Sequence, residues 1–365
     1  MPSDLPLSDV FEPFAWLFAG LLALNVILFA AVVAQREQWV LHRRVRERIQ
    51  ERLAPVSGRL LDSEDPERDA EELRPLIAGL GRQSRPVAAW LVLDGLGEAD
   101  DATRAAVCRV LRESGAVEVA EQATRGRVPW RRALACEFLG TIGSEHSVDV
   151  LVERLRDKRA EVRRAAARAL GELGDPAAAG PLKALFLGRS GVPIGVANDA
   201  LSRLGPAGAD AFREGLLSPE STVRVTSCFG IAGEIDPAAT DEALALLGER
   251  LRADGEPRVR SAAASAMRWL PGAVAPAALI DALRDPAPAV RRSAAGSLGT
   301  FDDPAAVEAL ADMVSDPDRE TALRAAQSLL ALSGGARAGQ PARRALAASR
   351  AWTVESVRAI EEVGA

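Results

Sequence analysis

From Glu161 to Pro176 the chain reads EVRRAAARALGELGDP, and its apolar residues Val162, Ala165, Ala166, Ala169, Leu170 and Leu173 fall three and four apart. That spacing places them on one face of a helix. The Gly-Asp-Pro that follows predicts a stop and a restart, with the aspartate capping free amides and the proline in the first helical position. The same Asp-Pro step stands at Asp236–Pro237 and Asp303–Pro304. A second helix is predicted over 177–187, and then a short link. The phrase returns as AVRRSAAGSLGTFDDP at Ala289–Pro304, as RVRSAAASAMRWLPG from Arg258 and as TVRVTSCFGIAGEIDP from Thr222.

The register is countable from an arginine seven residues ahead of a large apolar residue. Arg104, Arg132, Arg163, Arg224, Arg260 and Arg291 stand before Leu111, Leu139, Leu170, Ile231, Met267 and Leu298, and Ile194 takes the arginine slot before Leu201. The steps from Arg104 are 28, 31, 31, 30, 36 and 31 residues. Self-similarity at this period predicts an all-α stacked array of helix pairs, an α-solenoid, whose main product is surface. A further copy near Leu323–Arg324 is one residue out of phase. At the other end, Asp69 to Gly97 reads as an irregular capping pair.

Ahead of the array, Phe14 to Ala34 runs twenty-one residues without a charge, about 31 Å at helical rise and close to a hydrocarbon core. Trp16 and Trp39 sit near its ends. Six arginines, Arg36, Arg43, Arg44, Arg46, Arg48 and Arg52, follow the run and none precedes it. These features predict a tail over 1–13, one membrane-spanning helix over 14–35, an amphipathic juxtamembrane helix over 36–55 ended by Pro55, and the array over 69–362. The arginines predict that the array faces the cytoplasm, with the amino terminus outside the cell inner membrane. Cleavage of the run as a signal peptide, which would release the array outside, is the competing reading. Against it stand Asp4, Asp9 and Glu12, where a signal peptide has a basic start.

Charge narrows the partners. Residues 1–55 hold equal numbers of basic and acidic side chains, so the array carries the whole formal charge of −6. A phosphate backbone calls for a basic face, and no nucleic-acid partner is expected. Three cysteines, Cys108, Cys136 and Cys228, sit in apolar helical phrases and read as small core residues. The only histidines are His42 and His146. No metal site, no cofactor and no catalytic constellation is expected from this inventory.

The Val-Arg-x-x-Ala-Ala-x-x-Leu-Gly phrase with its Asp-Pro resembles the HEAT repeat, in the short bacterial variety also found in phycocyanin chromophore lyases. The resemblance spans roughly Asp69 to Glu362. It implies that the repeated arginines bond to turn aspartates of neighbouring repeats, and it is nearly silent on function. The HEAT-type iron hydroxylases need repeated His-Glu pairs, and here Glu145–His146 is reversed and solitary. A lyase-like, tetrapyrrole-binding protein is the alternative, set against an absence of tyrosine and a low aromatic content. The preferred reading is a membrane-anchored, non-catalytic adaptor that holds a protein partner, such as a membrane-bound enzyme or transporter. Trp269 stands where sister repeats have Glu172 and Thr300, and Trp352 lies in the last helical segment. Both are candidate anchors for that partner.

Overall fold

The computed structural model describes residues 47–348 apart from 62, 64, 82–83, 98, 143–146, 189–190, 234–239 and 271–276. The run over 14–34, both histidines, Asp236–Pro237 and Trp352 lie outside the described residues. Among the described residues there is no strand, and no helix is long and apolar enough to cross a membrane. The chain divides at Val119–Ala120 into two compact units, within the stretch that the sequence reads as one array.

In the first unit, α1 (residues 47–61) buries Ile49, Leu53, Val56 and Leu60. The sequence predicts an end at Pro55, but the helix runs on past it. Pro55 and Glu51 are both exposed, so water can take the Glu51 carbonyl that loses its partner. An interior proline costs about 3 kcal/mol, whereas Val56 and Leu60 beyond it each contribute about 1.5–3 kcal/mol of burial. The stripe therefore outweighs the proline. The predicted capping pair is two six-residue helices, α2 (Pro66–Glu71) and α3 (Leu73–Ala78), followed by α4 (Arg85–Gly95). Asp65 caps α2, and Asp100 caps α5 (Asp101–Glu113) by accepting the Thr103 N–H at 2.7 Å. The division falls within α6 (Ala116–Ala123).

The second unit is a row of helix pairs. The first helices are α7 (Pro129–Ile142), α9 (Ala160–Leu173), α11 (Ile194–Arg203), α13 (Ser221–Ala232), α15 (Pro257–Met267), α17 (Pro288–Leu298) and α19 (Arg319–Leu332). Each packs on the next in sequence order. The second helices are α8 (Ser147–Arg154), α10 (Ala179–Leu187), α12 (Pro206–Gly215), α14 (Thr240–Ala253), α16 (Ala277–Ala282), α18 (Pro304–Met313) and α20 (Gly339–Ala348). Asp175 and Asp303 cap as the sequence predicts, accepting the N–H groups of Ala177 and Ala305 at 2.8 and 3.0 Å. After Asp175, however, Pro176–Ala178 forms one 3-10 turn before α10 begins. Gly174 ends α9 in the left-handed region, with φ +67° and its N–H on the Leu170 carbonyl, a conformation that suits glycine.

The Leu-Gly of the repeated phrase has a packing role. A Cβ on Gly171 would stand 2.6 Å from Ala200 Cα, and one on Gly140 would stand 2.6 Å from Ala169 Cα. At Arg132, Arg163 and Arg291 the residue eight positions on is glycine, and at the first two it receives the small residue six positions after the next slot. Gly299 and Ser328 repeat the arrangement, with a Cβ–Cα approach of 3.0 Å. These near-contacts bring successive first helices together backbone to backbone. They also leave Ala165, Ala166, Ala169 and Leu170 at 3% exposure or less.

Candidate docking surface and the arginine ladder

Four of the sequence-predicted arginines close on aspartates in the turn of the following pair. Arg132 donates Nε and Nη2 to Asp157 at 2.9 and 2.8 Å. Arg224 does the same to Asp254, Arg260 to Asp285 and Arg291 to Asp316, all between 2.8 and 3.0 Å. The remaining nitrogen, Nη1, donates to a carbonyl of the arginine's own preceding turn: Gly126, Ser218, Asp254 and Asp285 respectively, at 2.8–3.0 Å. Asp254 and Asp285 are therefore held twice, by one arginine on the side chain and by the next on the carbonyl. Each aspartate also accepts the N–H two residues on, as Asp157 does from Arg159 at 2.9 Å. These arginine–aspartate pairs are nearly buried and bidentate, the geometry in which an arginine is hardest to replace.

Burial pushes the carboxyl groups of Asp157, Asp254 and Asp285 upward. The paired guanidinium and the turn N–H more than offset it, so all three lie below the usual carboxylate range. Arg104, in the first unit, donates Nη2 to the carbonyls of Leu96 and Gly97 at 3.3 Å. Arg163 keeps the carbonyl bond, Nη1 to Asp157 at 2.7 Å. Gly188 stands where its sisters have the aspartate.

Trp269 lies just beyond α15 and is 67% exposed, with the Arg268 guanidinium 5.2 Å from its ring centroid. The matching positions of the sister repeats, Thr141, Glu172, Arg203, Gly233 and Thr300, are exposed as well. The indole thus occupies a line of positions that the stack leaves open. Sequence reasoning missed Phe229, which is 43% exposed on α13. It sits five residues after its arginine slot, where the sisters have Glu137, Arg168, Asp199, Ser265 and Gly296. Positions five and nine share one helical face, and α13 packs on α15. Phe229 on α13 and Trp269 just beyond α15 are thus both exposed in neighbouring repeats, and the register comparison that finds Trp269 also finds Phe229.

Among the described residues no group of three or more His, Cys, Asp or Glu is placed to hold a metal ion. Cys136 and Cys228 are buried, and burial pushes both thiols up to about 12, so they stay protonated at neutral pH. A cavity of about 210 Å³ in the first unit is lined by Ile49, Leu53, Pro75, Leu76, Gly79 and Leu80, with Arg52 as its one charged group.

Stacked helix pairs, an arginine ladder through the turns and no strand among the described residues define an α-solenoid of HEAT repeats. Residues 117–202 and 276–361 match the HEAT-repeat family. No curated protein matches the chain in sequence. Among solved structures it is similar to an engineered protein at 19% identity, over 86% of this chain and 99% of that one, with a TM-score of 0.39. Human deoxyhypusine hydroxylase in complex with glycerol aligns at 22% identity over 74% and 98% of the two chains, TM-score 0.30. The CpcE–CpcF complex of phycocyanin lyase from Nostoc sp. aligns at 24% identity over 71% and 92%, TM-score 0.27. At these identities the likeness concerns the fold alone.

Proposed function

We propose that this chain is a membrane-tethered, non-catalytic HEAT-repeat adaptor. In this reading residues 14–35 anchor it in the cell inner membrane, the array faces the cytoplasm, and its outer helical line holds a protein partner. The anchor rests on the uncharged run Phe14–Ala34 and the arginines that follow it. The partner class, a membrane-bound enzyme or transporter, rests on the gain in local concentration that tethering brings.

One observation carries the docking surface. Trp269 is 67% exposed at a position that the stack leaves open in every sister repeat of the second unit. Packing does not call for an indole there, and large exposed aromatics are typical interface anchors. The test is capture of the native partner from detergent-solubilised membranes, read by mass spectrometry. Trp269→Ala should weaken capture by about 2 kcal/mol, the scale of an interface hot spot, and leave the melting temperature nearly unchanged. A lowered melting temperature with capture intact would return Trp269 to a structural role.

A further inference from the structure

Successive first helices of the second unit are clasped in two ways: by an arginine–aspartate rung through the turn, and by a glycine that admits the backbone of the next first helix. The α7–α9 step has both, Arg132 on Asp157 and Gly140 against Ala169. The α9–α11 step keeps the glycine, Gly171 against Ala200. The α13–α15 and α15–α17 steps keep the rung, Arg224 on Asp254 and Arg260 on Asp285, and α17–α19 again has both. Between α11 and α13 neither clasp is present among the described residues. Ile194 fills the arginine slot, Ser218 the aspartate slot and Ser202 the glycine position. Ser218 still accepts the Glu220 N–H on its hydroxyl at 3.2 Å, and its carbonyl still accepts Arg224 Nη1 at 2.8 Å. The turn keeps its form and loses its clasp.

What fills this joint is apolar. Gly230 stands six residues after Arg224, at the position where Ala169 and Ala200 meet the preceding first helix. Here the ring of Phe212, from the second helix α12, occupies that place, and a Cβ on Gly230 would stand 2.4–2.6 Å from its carbons. The same ring meets Phe186 edge-on, with centroids 5.6 Å apart. Two buried polar atoms at the joint, Asn198 Oδ1 on α11 and Ser227 Oγ on α13, have no hydrogen-bond partner. Further along the row, Ser297 and Ser328 each donate to a carbonyl of the preceding first helix, Ala264 at 2.7 Å and Ala295 at 2.8 Å. Bidentate charge-assisted bonds hold one geometry, whereas apolar burial is non-directional and tolerates a change of angle.

We propose that the α11–α13 joint is a hinge, about which α7–α11 and α13–α19 turn as two blocks with Phe212 as the pivot. Rotation there breaks no rung and opens no backbone-to-backbone contact, and every other step in the row would have to break one or the other. Phe229 and Trp269 fall in the same block, so the motion leaves their spacing unchanged, and a partner that touches both blocks selects one opening. The hinge requires neither the anchor nor the partner proposed above.

The test uses the full chain in detergent with nitroxides on introduced cysteines, the native cysteines being buried. Pulsed electron–electron double resonance then reads the distance distribution between the labels. Arg168→Cys on α9 with Arg258→Cys on α15 spans the joint; Thr222→Cys on α13 with Arg324→Cys on α19 crosses the same number of steps on one side of it, and all four sites are exposed. The spanning pair should give the broader distribution. Adding Ile194→Arg together with Ser218→Asp builds the missing rung and should narrow it to the width of the control, while Ser218→Asp alone should not. Equal widths in the two pairs overturn the hinge, and that comparison does not depend on the rung variant folding. A double variant that keeps the parent's circular dichroism and leaves the spanning distribution as broad places the motion elsewhere and overturns it too, as does narrowing by Ser218→Asp alone.

Discussion

Replacing Gly171 with alanine tests whether the stack is built on backbone-to-backbone approach. The added Cβ would stand 2.6 Å from Ala200 Cα, 3.0 Å from Ala200 Cβ and 3.3 Å from the Ala200 carbonyl oxygen. Carbon atoms in contact prefer about 3.5–4.0 Å, so α9 and α11 have to part by about 1 Å. The nearest atoms belong to the main chain or its first side-chain carbon, so no rotamer change relieves the clash. Overpacking of this kind costs about 1–3 kcal/mol, and alanine's helix propensity returns up to about 1 kcal/mol. With no flexible neighbour to yield, we expect a net loss of about 1–2 kcal/mol. Gly180→Ala is the control, because nothing lies within 4 Å of its added methyl. It should stabilise by about 0.4–1 kcal/mol through the unfolded state alone. The assay is urea unfolding followed by far-ultraviolet circular dichroism, comparing midpoints, since a repeat array need not unfold in two states. Opposite shifts of the two midpoints support the packing argument. A raised midpoint for Gly171→Ala, or equal shifts in both variants, would refute it.

Ala166 is fully buried between helices, whereas Lys183 makes an exposed ion pair with Glu214 at 2.9 Å. Ala166→Asp should therefore unfold or severely destabilise the array while Lys183→Ala changes the melting temperature little, and equal small losses would defeat the register. Asp157, Asp254 and Asp285 titrate lower in the folded chain than the unfolded value of about 3.9, so the stability they contribute is complete above about pH 5 and fades as pH falls through their folded values. Urea midpoints measured from pH 7 down to pH 3 should drop below about pH 4, and an Asp285→Asn variant should lose less over that interval than the parent chain. For orientation, alkaline phosphatase fused after Ala365 should be inactive and a reporter that works only in the cytoplasm should work there; the reverse pattern, or a soluble periplasmic array, would overturn the proposed topology.

Most of the second unit is legible in the sequence because each repeat meets the same physical demands. Val162, Ala165, Ala166, Ala169 and Leu170 are all buried, since a helix between two neighbours needs one apolar face and small residues at the crossing. The Asp-Pro caps can be read because they depend on local chemistry. Two features are harder to read. α1 runs through Pro55 because tertiary burial of Val56 and Leu60 outweighs a local rule, and no window of sequence shows that burial. The glycine of Leu-Gly is visible as a letter, yet its cause is Ala200, some thirty residues away. An isolated phrase gives it no role, and only the stack shows it as a socket.

The docking surface is legible only through exceptions. Residues that hold the array together must recur, so their recurrence reports the stack and nothing else. A partner leaves its trace where one repeat departs from the others without a structural cause. Ile194 and Ser218 depart together and cancel, which is a structural cause. Trp269 and Phe229 each depart alone, putting aromatic surface where the sisters are small or polar. On the proposed adaptor reading, the exposed indole and phenyl rings call for a partner surface with apolar residues. A native partner whose bound face lacks apolar residues would contradict that reading.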